Sequence, residues 1–313
     1  MSQQLLSELP ELATSSSRLF WRRLWRDNSA RHGLMIVSLM IFAALAAPLV
    51  AYLSGHGETE QFRDIALSDM GIPIGPTAAF PFGADDNGRD VLVRTLYGVR
   101  VSLLVAIPAT TLAMLIGLFV GLMGGYQGGK IDAVCQQLIN LVLSFPFVVT
   151  ALSLLALNQG GENGPHVSPS LVVIFVITFF SWGYFARLSR GLVLDLRQQD
   201  FIHAAKLMGV PSWRILLRDV IPAVLPTMGV FWAIQLPANI VAEATLSFLG
   251  VGIPAPNASL GNMIADVQRS AMYQVQPWFL ATPALTLFFI VLGFNSLSSG
   301  LRNVLDPHLE YRQ

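Results

Sequence analysis

Uncharged, apolar residues run without interruption over 33–53, 101–126, 133–157, 167–186, 220–242 and 277–301, and polar segments punctuated by Gly and Pro separate these runs. Each is long enough to cross the ~30 Å hydrocarbon core of a bilayer, which takes about 20 residues of α-helix. Inside lipid a backbone must satisfy its own hydrogen bonds, so the pattern predicts six membrane-spanning helices. Pro108, Pro146, Pro226, Pro237 and Pro283 fall within the runs and predict kinks. The polar segments predict loops over 54–100, 158–166 and 251–276 on one side of the membrane. On the other side they predict a tight glycine turn at 124–130 and a longer connection at 187–220.

Lys and Arg divide unevenly between the two sides. With the N-terminus in the cytoplasm, fourteen fall inside and five (Arg63, Arg89, Arg94, Arg100 and Arg269) fall outside. This asymmetry predicts that both termini and the 187–220 connection are cytoplasmic. Small residues at 43–47 could serve a signal peptidase, but 32 residues precede the first apolar run, far more than the short basic region of a signal peptide. The segment 18–26 interleaves arginines with Leu, Phe and Trp. It predicts either an amphipathic helix along the cytoplasmic interface or a basic flank that only sets orientation.

Composition then narrows the class. Hydrophobic residues make up 53% and charged residues 12% of the chain, against about 25% charged in soluble domains. Zero net charge gives no reason to expect a nucleic-acid partner. The single cysteine, Cys135, lies in an apolar run, which excludes an intrachain disulfide framework and a multi-cysteine metal site. His32, His56, His166, His203 and His308 are scattered over polar segments without metal-ligand spacing.

Two motifs invite a chemistry that their details refuse. Gly124 to Lys130 matches the first seven positions of a phosphate-binding P-loop, but Ile131 stands where Ser or Thr must hold Mg²⁺, and an apolar run rather than a strand precedes it. The run from Gly83 to Asp90 clusters Asp85, Asp86 and Asp90, but Gly83 occupies the place of the first carboxylate of a calcium loop. A turn is preferred there, with Asp and Asn on backbone amides and Arg89 on a nearby carboxylate. No internal repeat is visible, and the halves do not read as inverted copies, as secondary transporters commonly do. A membrane-embedded enzyme would need clustered nucleophile, base or metal ligands in the spans, and none is clustered there.

The 187–220 connection holds the most specific pattern. Small Ala204 and Ala205 permit close approach of a neighbouring backbone. Gly209 can take positive φ to end a short helix, and Pro211 prevents its continuation. Lys206, Arg214 and Arg218 make the segment basic. Asp200, Ala204, Ala205, Gly209, Ile215 and Pro222 match the "EAA" cytoplasmic loop of ABC-importer permeases, which this segment resembles. His203 replaces that loop's usual Glu, which leaves any ion pair of that Glu without a counterpart.

Three further matches extend the resemblance to the dipeptide/oligopeptide/nickel permease family. Asp85, Gly88, Arg89 and Asp90 fit its Gly-Thr-Asp-x-x-Gly-Arg-Asp signature, with Ala84 in place of Thr. The run Glu243 to Gly252, with Pro256 and Gly261-Asn-Met263, is similar to the family's next motif, with Leu260 in place of Trp. The run Leu301 to Pro307 is similar to its C-terminal motif, with Ser299-Gly300 in place of Gly-Asp. The layout resembles the "C" permease of a two-permease pair.

The resemblance implies an all-α membrane protein of six spans with the type I ABC-importer permease fold. Its parts would be a cytoplasmic segment 1–32 and a first span 33–53, then an extracytoplasmic loop 54–100. A five-helix core 101–302 containing the coupling loop 187–220 and a cytoplasmic tail 303–313 would follow. The implied role is a permease subunit in a bacterial cytoplasmic membrane, with no catalysis of its own. It would pair with a second permease, two ATP-binding subunits that carry ATP and Mg, an extracytoplasmic binding protein and membrane lipid. Dipeptides, longer peptides, nickel chelates and other solutes stay open as cargo. Glu243 lies near the outer end of its span, where it meets water, caps a loop or contacts the transported solute.

Overall fold

The computed structural model describes residues 24–159 and 168–305. Within them the chain forms α1 (Asn28–Ser54), α2 (Arg63–Ala66), α3 (Val91–Gln127), α4 (Gly129–Ser144), α5 (Phe147–Gln159) and α6 (Pro169–Arg197). It continues through α7 (Asp200–Leu207), α8 (Ser212–Ile215), α9 (Ile221–Phe248), α10 (Leu260–Ser270) and α11 (Pro277–Leu305). The described residues form no extended strand, only two isolated bridges. Most of the predicted interfacial segment 18–26, most of the loop 158–166 and most of the C-terminal tail lie outside the described residues.

Helices α1, α3, α6, the run from α8 through α9, and α11 are each long and apolar enough to cross a bilayer. The predicted third span, 133–157, is not one straight helix. It is α4 and α5, bent by 81° between Ser144 and Phe147, so the described residues hold six candidate spans when the bent pair counts as one. Pro146 is the cause: it pushes Phe145 into extended backbone (ψ 133) and supplies no N–H to the preceding turn. The other four prolines flagged in the sequence sit inside helices that continue past them.

Three boundaries differ from the hydrophobic pattern. Helix α3 begins ten residues before the apolar run, because Asp90 caps it through Leu92 N (2.8 Å) and Val93 N (3.2 Å). The outer loop therefore ends at Asp90, and Arg94 and Arg100 are helical. The predicted loop 251–276 contains α10, which Ser259 and Asn262 open as a reciprocal capping box. The 187–220 connection shrinks to 198–211, since α6 runs on to Arg197 and the next span starts at Ser212. Basic residues end the apolar pattern there without ending the helix. Pro222 lies inside that last span and cannot donate to the Arg218 carbonyl. The helix widens into a π turn over Leu216–Val220, with Ile221 N reaching Leu216 O.

Helix α3 is the mast of the bundle, and α6 lies against it. At Gly117 and Gly121 an added Cβ would stand 2.4 Å from the Phe185 side chain and 2.5 Å from Ser189 Oγ, so the two backbones meet over bare glycine. One apolar cluster joins α1, α3, α9, α10 and α11 through Val37, Leu103, Leu236, Ile240 and Phe294. A second joins α3, α6, α7, α8 and α9 and is described with the site below. The segment 124–130 is a helix end, one glycine link and a helix start. That context is not the strand–loop–helix of a phosphate cradle.

Candidate functional site

Helix α7 is built to be held on one side and bare on the other. Ile202 is fully buried against the cluster of Tyr126 on α3, Val193 on α6, and Ile215, Val220 and Val224 around the start of the α8–α9 span. Ala205 and Val210 pack against the same cluster. The Lys206 ammonium lies 5.1 Å from the centre of the Tyr126 ring, a favourable seat for a cation. Asp200 stands in the first turn, where the helix dipole favours an acid. Ile215 is wholly buried and serves the core, while Ala204 and His203 face outward.

The end of α7 is a complete Schellman motif. Gly209 N donates to Lys206 O (3.0 Å) and Val210 N to Ala205 O (3.1 Å), with Gly209 at φ +78°. Val210 and Ala205 supply the accompanying apolar contact. Around this end, Phe201, Leu207, Met208, Trp213 and Leu217 are exposed, Leu207 by 89%. Such a group of bare apolar side chains on a polar connection marks an interaction surface. Beside it, Arg190 of α6 holds Asp132 of α4 through Nε (2.5 Å) and Nη2 (2.7 Å), one to each carboxylate oxygen.

At the opposite end of the bundle the run from Gly83 to Asp90 folds as a turn. Asp85 accepts from Asn87 N and Arg89 N (both 2.9 Å) and from Arg89 Nε (2.6 Å). Gly88 takes φ +76° against the backbone of Phe62 and Arg63. Asp90 does not converge with Asp85, because one oxygen caps α3 while the other meets His56 Nδ1 at 2.7 Å. Partial burial, with Asp85 and Asp266 nearby, raises the pKa of Asp86 above the ordinary carboxylate value. Among the described residues no group of three His, Cys, Asp or Glu side chains could hold a metal.

Arg94, which the sequence pattern did not single out, locks this end together. Its guanidinium is buried and donates to Glu58 O (3.1 Å) and Pro256 O (3.0 Å), joining α3 to the loop before it and to the loop after α9. Its Nε lies 3.3 Å from Asp85 Oδ2, close enough for an ion pair but not aligned as a hydrogen bond. Pro256 is 162 residues away in sequence, so no local spacing could reveal the contact.

Glu243 is completely buried and does not reach water. Its carboxylate accepts from Ser102 (2.7 Å), Ser247 (2.8 Å) and Ser259 (2.9 Å). Ser247 Oγ in turn accepts from Ile253 N and Ser259 Oγ from Gly261 N, so one carboxylate ties α3, α9, the following loop and the cap of α10. Of the alternatives open in the sequence, this geometry matches loop capping.

The described residues form an all-helical bundle with five continuous candidate spans and one broken span. Residues 113–311 match the family described as binding-protein-dependent transport system inner membrane component. Residues 15–67 match the N-terminal TM domain of oligopeptide transport permease C. The dipeptide transport system permease protein DppC of Bacillus subtilis (strain 168) is 34% identical over 92% of this chain and 85% of its own length. The glutathione transport system permease protein GsiD of Pectobacterium atrosepticum is 32% identical over 98% of this chain and 97% of its own. A solved amino acid ABC transporter with histidines aligns at TM-score 0.50 and 21% identity, covering 70% of this chain and 94% of its own. The inward-facing MetNI methionine ABC transporter aligns at TM-score 0.51 and 18% identity, covering 68% and 96%. The fold is that of type I ABC-importer permeases. The chain belongs to the family of inner-membrane permease components of binding-protein-dependent transport systems.

Proposed function

We propose that this chain is one of two permease halves of an ATP-driven importer of short peptides, and that α7 is its contact with an ATP-binding subunit. The observation that carries the coupling role is the two-sided α7. Its inner face is plugged into α3, α6 and the α8–α9 span through Ile202 and Ala205, while its outer face and Gly209-capped end present bare Leu207, Met208 and Trp213. An element so held moves as a unit with whatever seats on it and passes the displacement to three spans. Relatives named for dipeptide, oligopeptide and glutathione transport, matched over nine-tenths or more of this chain, support peptides over nickel chelates.

In this reading ATP and Mg are held and turned over by the partner subunits, since Ile131 replaces the Mg-holding hydroxyl of the only P-loop-like run singled out. An extracytoplasmic binding protein delivers peptide to the end carrying Asp85, Gly88, Arg89 and Asp90. A homologous second permease completes the pathway, and lipid covers the outer face of α1. The test is uptake of a radiolabelled dipeptide by vesicles containing the reassembled complex. Accumulation that requires ATP, the binding protein and both permeases is expected, and ATP-independent uptake by this chain alone would refute the reading.

The positive-charge asymmetry supports an orientation with the α7 end and both termini in the cytoplasm. Ser68 and Ser212 are both exposed, at opposite ends of the bundle. Single cysteines placed there in a Cys135→Ala background are expected to react with an impermeant maleimide from opposite sides of sealed vesicles. Reaction of both from one side would overturn the topology.

A further inference from the structure

Resting on the peptide-importer reading, we infer that a cavity beside the broken span is a subsite for the peptide bond itself, formed by Gln235, Asn239 and Tyr184. The cavity has a volume of about 190 Å³ and lies among α4, α5, α6 and α9. It has room for about six waters, or one peptide unit with a small side chain rather than a whole peptide. On α6 it sits between Phe180 and Tyr184, about 17 Å along the helix from Pro169 and about 20 Å from Arg197. Tyr184 stands three residues before Arg187, so the cavity lies within the apolar part of α6, toward its α7 end.

Among the described residues no carboxylate, amine, guanidinium or imidazole lines the cavity; its polar groups are two carboxamides, a serine and a tyrosine hydroxyl, set among aromatic rings. Asn239 is fixed by a chain whose direction is determined. The Thr110 hydroxyl donates to Ala106 O (2.7 Å), so it accepts from Asn239 Nδ2 (2.8 Å). Ser181 donates to Asn239 Oδ1 (3.0 Å). A carboxamide offers two N–H donors and two lone pairs on its oxygen. One of each is used, leaving Asn239 one donor and one acceptor for the C=O and N–H of a peptide unit. Gln235 lies one turn before Asn239, half-exposed, and neither its carboxamide nor the Tyr184 hydroxyl has a hydrogen-bond partner among the described residues. The 81° break after α4 opens this wall, since a straight helix through 144–147 would continue along it.

A neutral site of paired donors and acceptors reads the group common to all peptides and ignores side-chain charge. It offers no compensating charge, so it selects against a side-chain charge or a metal complex, and the charged termini of a bound peptide would lie outside it.

The test uses the reassembled complex in vesicles, with radiolabelled dialanine and a lysine-containing dipeptide as probes. Gln235→Leu and Tyr184→Phe alter partnerless side chains, so the fold is retained. Gln235→Leu is expected to slow uptake of both dipeptides about five- to ten-fold, the size of one lost buried hydrogen bond. Binding-protein affinity and ATPase activity without peptide should stay unchanged. Ala238→Phe, which fills the cavity from an exposed position, is expected to block both probes. Wild-type uptake in all three variants would overturn the subsite. Slowing of only the charged dipeptide would also overturn it, showing a side-chain site instead. Absence of dipeptide uptake by the wild-type complex would defeat the peptide-importer reading, and the subsite with it.

Discussion

Gly209→Val is expected to reduce peptide uptake by the reassembled importer to background while leaving membrane insertion of the chain unchanged. An added Cβ at Gly209 meets nothing within 4 Å, so the defect is not a clash. It lies in the backbone: at φ +78° a β-branched residue is strained by about 1–2 kcal/mol. The strain is relieved most easily by unwinding the two Schellman hydrogen bonds to Lys206 O and Ala205 O. Leu207 and Met208 would then no longer stand where a docking partner meets them. Gly209→Asn is the control, because Asn adopts the left-handed conformation with little penalty. It is expected to keep most of the uptake. Normal uptake by a well-inserted Gly209→Val protein would show that this helix end does not couple ATP use to transport.

That helix end was legible in the sequence because everything it needs is local. Gly209, Pro211 and the small residues before them lie within eight residues of each other, and capping chemistry acts at that range. The six apolar runs were legible for the same reason, since each span satisfies its own backbone. Their ends were not. Arg187 and Arg190 stopped the apolar pattern but not α6, because a helix emerging from lipid can go on with basic side chains in the headgroup region. Helix α10 was missed within 251–276, where mixed polar residues carry no long apolar run although Leu260, Met263 and Val267 form a buried stripe. Pro146 was flagged with four other prolines, and no local feature tells which one breaks its helix. The outcome depends on neighbouring helices re-satisfying the freed backbone groups. Glu243 was singled out, but its partners Ser102 and Ser259 come from α3 and the α10 cap, so its burial was a tertiary fact.

Asp85→Ala is expected to destabilise the chain by about 3–5 kcal/mol, the cost of leaving a buried charge without its partner. Two guanidinium groups lean on this carboxylate: Arg89, 4% exposed, at 2.6 Å, and Arg94, 1% exposed, at 3.3 Å. Asp266 also pairs with Arg89, at 3.6 Å, but this single longer contact replaces only part of what Asp85 supplies. The same substitution frees the amides of Asn87 and Arg89, so the turn that presents Asp90 as the α3 cap loosens. The measurement is the thermal unfolding midpoint in detergent, with Asp69→Ala, at an exposed position of the same loop, as the neutral reference. Asp85→Asn should fall between the two, since its oxygen still accepts from both amides but carries no charge. The double variant Asp85→Ala, Arg89→Leu should lose less than the two single losses added, by about 0.5–3 kcal/mol, because removing both partners leaves one fewer orphaned charge. Strict additivity would mean that the pair contributes no coupling, and that Arg94, held to the carbonyls of Glu58 and Pro256, secures the outer end of α3 without Asp85.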